Sequence, residues 1–140
     1  MRFMMIVKAD KQTEAGVMPT ADELAIMGKY NQQLIDAGVM VDGAGLQASS
    51  KGARVGFTNG KVYVTDGPFA ETKELIAGYW IINVKSKAEA IEWAKKIPFP
   101  QLPGSGRDPE VELRQYFELE DFPNAPADVV EQEKKHFSRG

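Results

Sequence analysis

The stretch GYWIINVKSKAEAIEWAKKIP, residues 78–98, decides the fold. Its first part, up to Lys85, is a run of mostly large apolar residues that is typical of a strand. Ser86 and Glu89 then have the spacing of a capping box, and Pro98 stops the helix that they begin. The stretch therefore predicts a strand followed by a capped helix, whose buried stripe is Ala90, Ile91, Ala94 and Ile97.

A second unit of the same kind lies at the N-terminus. The nearly continuous apolar run Arg2–Lys8 predicts a central strand. Thr20 and Glu23 again have capping-box spacing, and Gly38 is the expected left-handed stop of a helix that reaches about Ala37. The residues expected near one face of this helix are Leu24, Met27, Asn31, Leu34 and Ile35.

Two further strand signals lie between these units. Residues 39–49 predict a strand that Gly43 and Gly45 weaken or bulge. The dipeptide Asn59-Gly60 separates two alternating runs, and both of its positions suit the positive φ of a type I′ turn. We therefore expect a β-hairpin at this point of the chain.

The C-terminal part holds one more core element. A Pro/Gly-rich loop is expected over residues 98–109, followed by a last strand over Val111–Phe117. We assign residues 1–119 to one domain. Residues 120–140 are interpreted as a polar tail with a short helix that begins at Asp128 and packs on the domain or on a partner subunit.

The order of these elements predicts an α+β protein with a ferredoxin-like split βαβ fold, an antiparallel sheet and both helices on one face. The other face of the sheet would also be apolar, since Tyr79 and Ile81 alternate with the residues that face the helices. An apolar face of this kind needs a cover, which we expect to be the sheet of a second copy. The sequence therefore predicts a homodimer.

Composition excludes several classes of function. The net charge of −3 and the scattered basic residues argue against direct binding of nucleic acid. The chain has no cysteine and a single histidine, His136, so neither a metal site nor another cofactor is expected. No apolar run approaches the ~20 residues that cross a bilayer. We expect a cytoplasmic protein that does not contact membranes.

The best candidate for chemistry is Asp66, in the stretch VYVTDGPFAETKE of residues 62–74. One interpretation is a turn, in which the carboxylate bonds nearby amides while Gly67 and Pro68 shape the backbone. The other places Asp66 at the mouth of a cavity between two sheets as a general base.

Glu112 and Arg114 are candidates for ligand binding because they share one face of the last strand. Arg114 either pairs internally, with Glu112 or with Asp66, or is left to bind a carboxylate or phosphate. Tyr79 either lines the same pocket or packs as an ordinary core or interface residue.

The segments VTDGPFAETKE, GYWIINV, EAIEWAKKIP and VELR, in this order, resemble the YCII-related superfamily and its branch named for the DGPF motif. The resemblance covers Met1 to about Leu119 and implies a dimeric α/β barrel. It also implies a pocket near Asp66, Glu71 and Lys73, with Arg114 on the neighbouring strand. The wider superfamily is associated with a His–Asp pair; Asp66 matches the aspartate, whereas no histidine precedes it here.

Together these observations favour a homodimer that holds a small polar or anionic molecule near Asp66. Catalysis would be cofactor-free, with Asp66 as the base and Arg114, Glu71, Lys73, Glu112 and Tyr79 around the ligand. The alternative is a non-catalytic binding or regulatory module, linked through the resemblance to sigma-factor-dependent transcription. A third interpretation, a cofactor-free oxygenase, rests only on analogy with other dimeric α/β barrels.

Overall fold

The computed structural model describes residues 1–102 and 109–137. The described strands are β1 (Arg2–Lys8), β2 (Met40–Gly45), β3 (Ala53–Thr58), β4 (Lys61–Asp66), β5 (Ile76–Asn83) and β6 (Val111–Gln115). The described helices are α1 (Lys11–Glu14), α2 (Ala21–Asp36), α3 (Lys87–Lys95) and α4 (Ala127–His136). Of the loop expected over residues 98–109, residues 103–108 lie outside the described part.

The strands form two separate antiparallel sheets. The larger sheet has the order β2-β5-β1-β6, and β3 pairs only with β4 as a hairpin. Since β5 lies between β1 and β2, which are connected through α2, the large sheet has the split βαβ arrangement. The predicted α+β class with antiparallel sheets is confirmed. Within the described residues the large sheet stays open and does not close into a barrel.

Local hydrogen bonds set the helix boundaries. At α2 the Thr20 hydroxyl accepts from the Glu23 amide at 3.2 Å, and the Glu23 carboxylate accepts from the Thr20 amide at 3.1 Å, which confirms the predicted capping box. At α3 the Ser86 hydroxyl caps the helix, but the Glu89 carboxylate accepts from the Lys85 amide at 2.8 Å instead of closing the box at Ser86. Glu89 therefore reaches one residue further back than predicted.

The hydrophobic core lies between the large sheet and helices α2 and α3. Tyr30 was not among the residues expected on the inner face of α2, yet it is buried and its hydroxyl donates to the Trp93 carbonyl at 2.7 Å. Burial also raises the pKa of the Tyr30 phenol. Leu24 and Ile35 were expected there and are instead exposed. The buried core consists of Phe3, Met5, Tyr30, Leu34, Val39, Trp80, Ile82, Val84, Ala90 and Ile97.

Two turn predictions are confirmed, whereas the irregularity predicted in β2 lies at a different position of the strand. Asn59 and Gly60 both have positive φ, 51° and 72°, as the type I′ hairpin requires. Gly38 has a φ of 71° at the end of α2. The irregularity of β2 lies between Met40 and Asp42 and not at its glycines.

The face of the large sheet that is turned away from α2 and α3 is called the open face. Tyr79 and Glu112 flank Ile6 on it, and Ile81 and Arg114 flank Met4. Met4, Tyr79 and Ile81 are half-buried in the single chain. The open face therefore has an apolar centre, as expected from strand alternation, with charged residues at both ends of β1 and on β6.

The C-terminal segment contains α4, which begins at Ala127 and confirms the predicted short helix one residue earlier than expected. The 3₁₀ turn Leu119–Asp121 connects it to the region after β6. Among the described residues, no helix is both long enough and apolar enough to cross a membrane.

Candidate functional site

The turn that follows β4 is held tightly against the segment before β3. The Gly67 amide donates to the Gly52 carbonyl at 3.0 Å. A Cβ atom at residue 67 would come within 1.8 Å of the Ser49 carbonyl oxygen, so only glycine allows the two backbones to approach this closely. The glycine of the motif therefore has a structural function.

Ser49 and Glu14 anchor the same turn. The Ser49 hydroxyl accepts from the Phe69 amide at 3.0 Å and donates to Glu14 Oε2 at 2.5 Å. The Ser49 amide also donates to Glu14 Oε1 at 3.0 Å, so the carboxylate receives two hydrogen bonds. These contacts join α1, the segment before β3 and the motif into one unit. This anchor could not be predicted from the sequence, because Glu14 and Ser49 are far apart in the chain and neither belongs to a recognisable motif.

Asp66 lies at the exposed end of β4. Its carboxylate makes no hydrogen bond or ion pair with the residues that the structure describes. The hydrogen bond to the turn amide expected of an aspartate is made here by Ser49. The Asp66 side chain is thus left available to groups outside the described chain.

The other predicted loop residues lie on the surface beside the motif. Glu71 forms an ion pair with Arg54 at 3.4 Å, and the Arg54 guanidinium lies 3.9 Å from the centre of the Phe69 ring. Lys73 lies in the 3₁₀ turn that covers residues 72–74. These contacts hold Glu71 and connect the hairpin to the loop.

A charged cluster lies on the open face at β6. The Glu112 carboxylate contacts Lys8 Nζ and Arg114 Nη1, each at 3.4 Å. The hydrogen bond from Arg114, followed by the hydrogen bond and charge of Lys8, lowers the pKa of Glu112. Because Arg114 is 72% exposed, most of its guanidinium stays accessible.

The predicted site residues thus form two groups. Glu112 and Arg114 share the open face with Tyr79, which is separated from Glu112 by Ile6. Asp66, Glu71 and Lys73 belong to the hairpin and the loop that follows it. Of the two internal pairs that were expected for Arg114, the structure contains the one with Glu112. Among the described residues no contact joins Asp66 to Arg114.

Two cavities lie away from the predicted site residues, although the first is lined in part by Lys8 of the charged cluster. One, of about 260 Å³, lies at the end of β1 and is lined in part by Val7, Lys8 and Phe99. The other, of about 600 Å³, lies beside Phe117, Phe122 and α4. Neither is lined by a predicted site residue. No group of three or more potential metal ligands occurs within residues 1–102 and 109–137.

Comparison with known proteins relates most of the chain to one domain family. The family model described as the YCII-related domain matches residues 1–114. An uncharacterised protein of Rhizobium meliloti (strain 1021) is 34% identical over 76 residues. The aligned part covers 54% of this chain and 58% of that relative, so the chain spans less than two thirds of the relative's length.

Proposed function

This chain belongs to the family of YCII-related domains, and we propose that it is a homodimer of the DGPF branch that binds a small polar or anionic molecule at its open face. The observation that carries the proposal is the cluster of Lys8, Glu112 and Arg114 beside the apolar centre of the open face. Charged groups in such surroundings are typical of a site that orients a ligand.

The apolar part of the open face supports the dimer. Met4, Tyr79 and Ile81 are only half-buried in the single chain. A second copy that packs on this face would remove them from water and enclose a cavity between the subunits. The assembly would be the dimeric α/β barrel expected from the sequence.

The guanidinium of Arg114 supports an anionic or polar ligand. One of its N–H groups contacts Glu112, and the side chain is 72% exposed. A guanidinium has five N–H donors, and a carboxylate or phosphate can accept two of them in parallel. Arg114 is therefore the proposed anion holder, with Tyr79 and Lys8 nearby on the same face.

The catalytic form of the proposal is cofactor-free acid/base chemistry. Asp66 would act as the general base, because its carboxylate is exposed and is not bound by the described residues. Glu71 and Lys73 follow it on the loop and would line the mouth of the pocket. The ion pair between Arg54 and Glu71 would hold Glu71 in place at the mouth of the pocket.

A non-catalytic sensor is the second candidate. The only histidine, His136, lies in α4 and not in the motif, and the separation of Asp66 from the charged cluster within one chain favours binding without chemistry. In this form the ligand would alter contacts with a protein partner, and sigma-factor-linked regulation is the proposed context.

In either form, residues 1–119 would form the binding domain and residues 120–140 would form a separate tail. The proposed location is the cytoplasm.

Thermal unfolding in the presence of small carboxylates and phosphates tests ligand binding. A ligand at about 100 times its Kd should raise the Tm by roughly 5–10 °C, since binding to the folded state adds stability. Arg114→Leu should abolish the shift. Lys95→Leu is the matched control, because Lys95 also pairs with a glutamate, Glu92 at 3.1 Å, but lies on α3 and not on the open face.

Two results would contradict the proposal. If no compound of the panel raises the Tm, or if Arg114→Leu responds as the wild type does, the open face does not bind an anion. Light scattering tests the assembly separately: a monomeric mass at micromolar concentration would exclude the dimer.

A further inference from the structure

The hairpin formed by β3 and β4 has two chemically different faces. Residues paired across an antiparallel ladder project to the same side, and side chains alternate along each strand. Ala53 pairs with Asp66 in the register of this hairpin. One face therefore carries Val55, Phe57, Val62 and Val64, with Asp66 at its end. The other carries Arg54, Gly56, Thr58, Lys61, Tyr63 and Thr65.

The polar face contacts its own chain. The Tyr63 ring lies so close over Gly56 that a Cβ atom there would be 2.0 Å from the ring carbon Cζ. On the same face, Arg54 stacks on Phe69 and pairs with Glu71 of the loop. These contacts orient the polar face towards the loop and leave the apolar face turned away from it.

The apolar face stays mostly uncovered by the residues that the structure describes. Its four large side chains are exposed by 54% (Val55), 77% (Phe57), 64% (Val62) and 65% (Val64). A two-stranded hairpin is only marginally stable in water unless it packs against something else. A contiguous apolar face of this kind is typical of a protein–protein contact.

The open face of a second copy matches this apolar face in chemistry. It is apolar around Met4, Tyr79 and Ile81, and its strands are of similar length to those of the hairpin. The charges are complementary, since the hairpin face ends in the Asp66 carboxylate and the open face carries the exposed Arg114 guanidinium. Within one chain, no described contact brings these two groups together.

We propose that the apolar face of each hairpin packs on the open face of the other subunit and brings Asp66 beside Arg114 of the partner subunit. The base and the anion holder of each site then come from different subunits, and the site is incomplete in a monomer. This proposal rests on the proposed dimer, in which the open faces of the two sheets enclose the cavity. Each hairpin would pack at the β6 edge of the other subunit's open face and close that side of the cavity. A twofold axis would produce the contact twice, once for each hairpin.

Charge reversal tests this contact directly. Asp66→Arg should weaken the dimer about tenfold or more, because it places two guanidinium groups together, and Arg114→Asp should do the same with two carboxylates. The double variant should recover most of the wild-type affinity in sedimentation or dilution light scattering. Thr65→Arg is the matched control, since Thr65 neighbours Asp66 but lies on the polar face of the hairpin.

Cross-linking gives a second measurement, because the chain contains no native cysteine. Asp66→Cys and Arg114→Cys are prepared as separately tagged chains, mixed, and treated with a short bismaleimide. A product that contains one chain of each kind is expected, whereas Thr65→Cys paired with Arg114→Cys should give little of it.

The outcomes distinguish this contact from the proposed function. A wild-type dimer that binds an anion through Arg114, but shows neither recovery in the double variant nor the mixed cross-link, overturns the hairpin contact alone. A monomeric wild type overturns both proposals. An equal effect of Thr65→Arg and Asp66→Arg also contradicts the contact, because it would not depend on the hairpin face.

Discussion

The large sheet and the hairpin use the same strand pattern with opposite results. In the large sheet one apolar face is covered by α2 and α3, and residues such as Met5 and Ile82 are completely buried. In the hairpin the apolar residues Phe57 and Val64 stay mostly exposed. Alternation thus indicates that a face is to be covered, but it does not indicate what covers it.

The two regions also differ in how they are held in place. Packing of side chains on both helices holds the large sheet. The hairpin is held at its base, where Gly67 contacts Gly52 and Ser49 bonds both Phe69 and Glu14. Substitutions in the two regions should therefore affect different properties.

The largest effect is expected in the core of the large sheet. Ile82→Ala should lower the free energy of unfolding by about 2–5 kcal/mol, because it removes a fully buried side chain and leaves a cavity. Val64→Ala on the hairpin should change it by less than about 0.5 kcal/mol where the chain is monomeric. Urea unfolding at low protein concentration measures both. Equal losses in the free energy of unfolding of the two variants would contradict the proposed difference between the large sheet and the hairpin.

The next largest effect is expected at the base of the hairpin. Gly67→Ala should destabilise by about 1–3 kcal/mol, because its Cβ would meet the Ser49 carbonyl and the backbone would have to shift. Gly28→Ala, in α2 with no atom within 4 Å of the new Cβ, should stabilise by about 0.5–1 kcal/mol. Chemical denaturation compares the two, and a tolerated Gly67→Ala would show that the base is not tightly packed.

A smaller and local effect is expected at Ser49. Ser49→Ala removes the acceptor of the Phe69 amide and should destabilise by about 1 kcal/mol. Hydrogen exchange should accelerate over residues 67–75 while β1 stays protected. Ser86→Ala, which removes the cap of α3, is the control and should accelerate exchange in that helix instead. Acceleration throughout the large sheet after Ser49→Ala would mean that the hairpin base is not a separate unit.

The smallest effect concerns the ionisation of Glu112 on the open face. The pKa of Glu112 is lower in the folded protein than in the unfolded chain. The Glu112 carboxylate therefore stabilises the fold above its unfolded pKa, and this stabilisation is lost as the pH falls through its folded pKa. Arg114→Leu and Lys8→Met should each raise the pKa of Glu112, because both cations lower it through a hydrogen bond and through their charge. NMR titration of the carboxyl carbon measures both shifts. An unchanged pKa in Arg114→Leu would show that the two groups are not paired in solution.

Much of the fold could be predicted because its signals are local. The capping box of Thr20 and Glu23, the stop at Gly38 and the turn at Asn59-Gly60 each depend on residues within a few positions of one another. The burial of Tyr30 could not be predicted in this way. Its hydroxyl bonds the carbonyl of Trp93, 63 residues further along the chain.

The candidate site could be predicted less completely. Glu112 and Arg114 were expected on one strand face, because positions two apart in a strand project to the same side, and they contact each other there. Lys8 joins them only because β1 pairs with β6. The position of Asp66 at the end of an apolar hairpin face follows from the register of β3 and β4.

The sequence by itself determined the strands, the capped helices and the hairpin turn, because short-range hydrogen bonds and alternation specify them. Only the tertiary structure decided that Glu14 and Ser49 anchor the motif, that Tyr30 enters the core, and that Asp66 and Arg114 lie apart within one chain. These features depend on contacts between segments distant in sequence. Such contacts form only when the strands pair and the helices pack, and no local pattern encodes which partners meet.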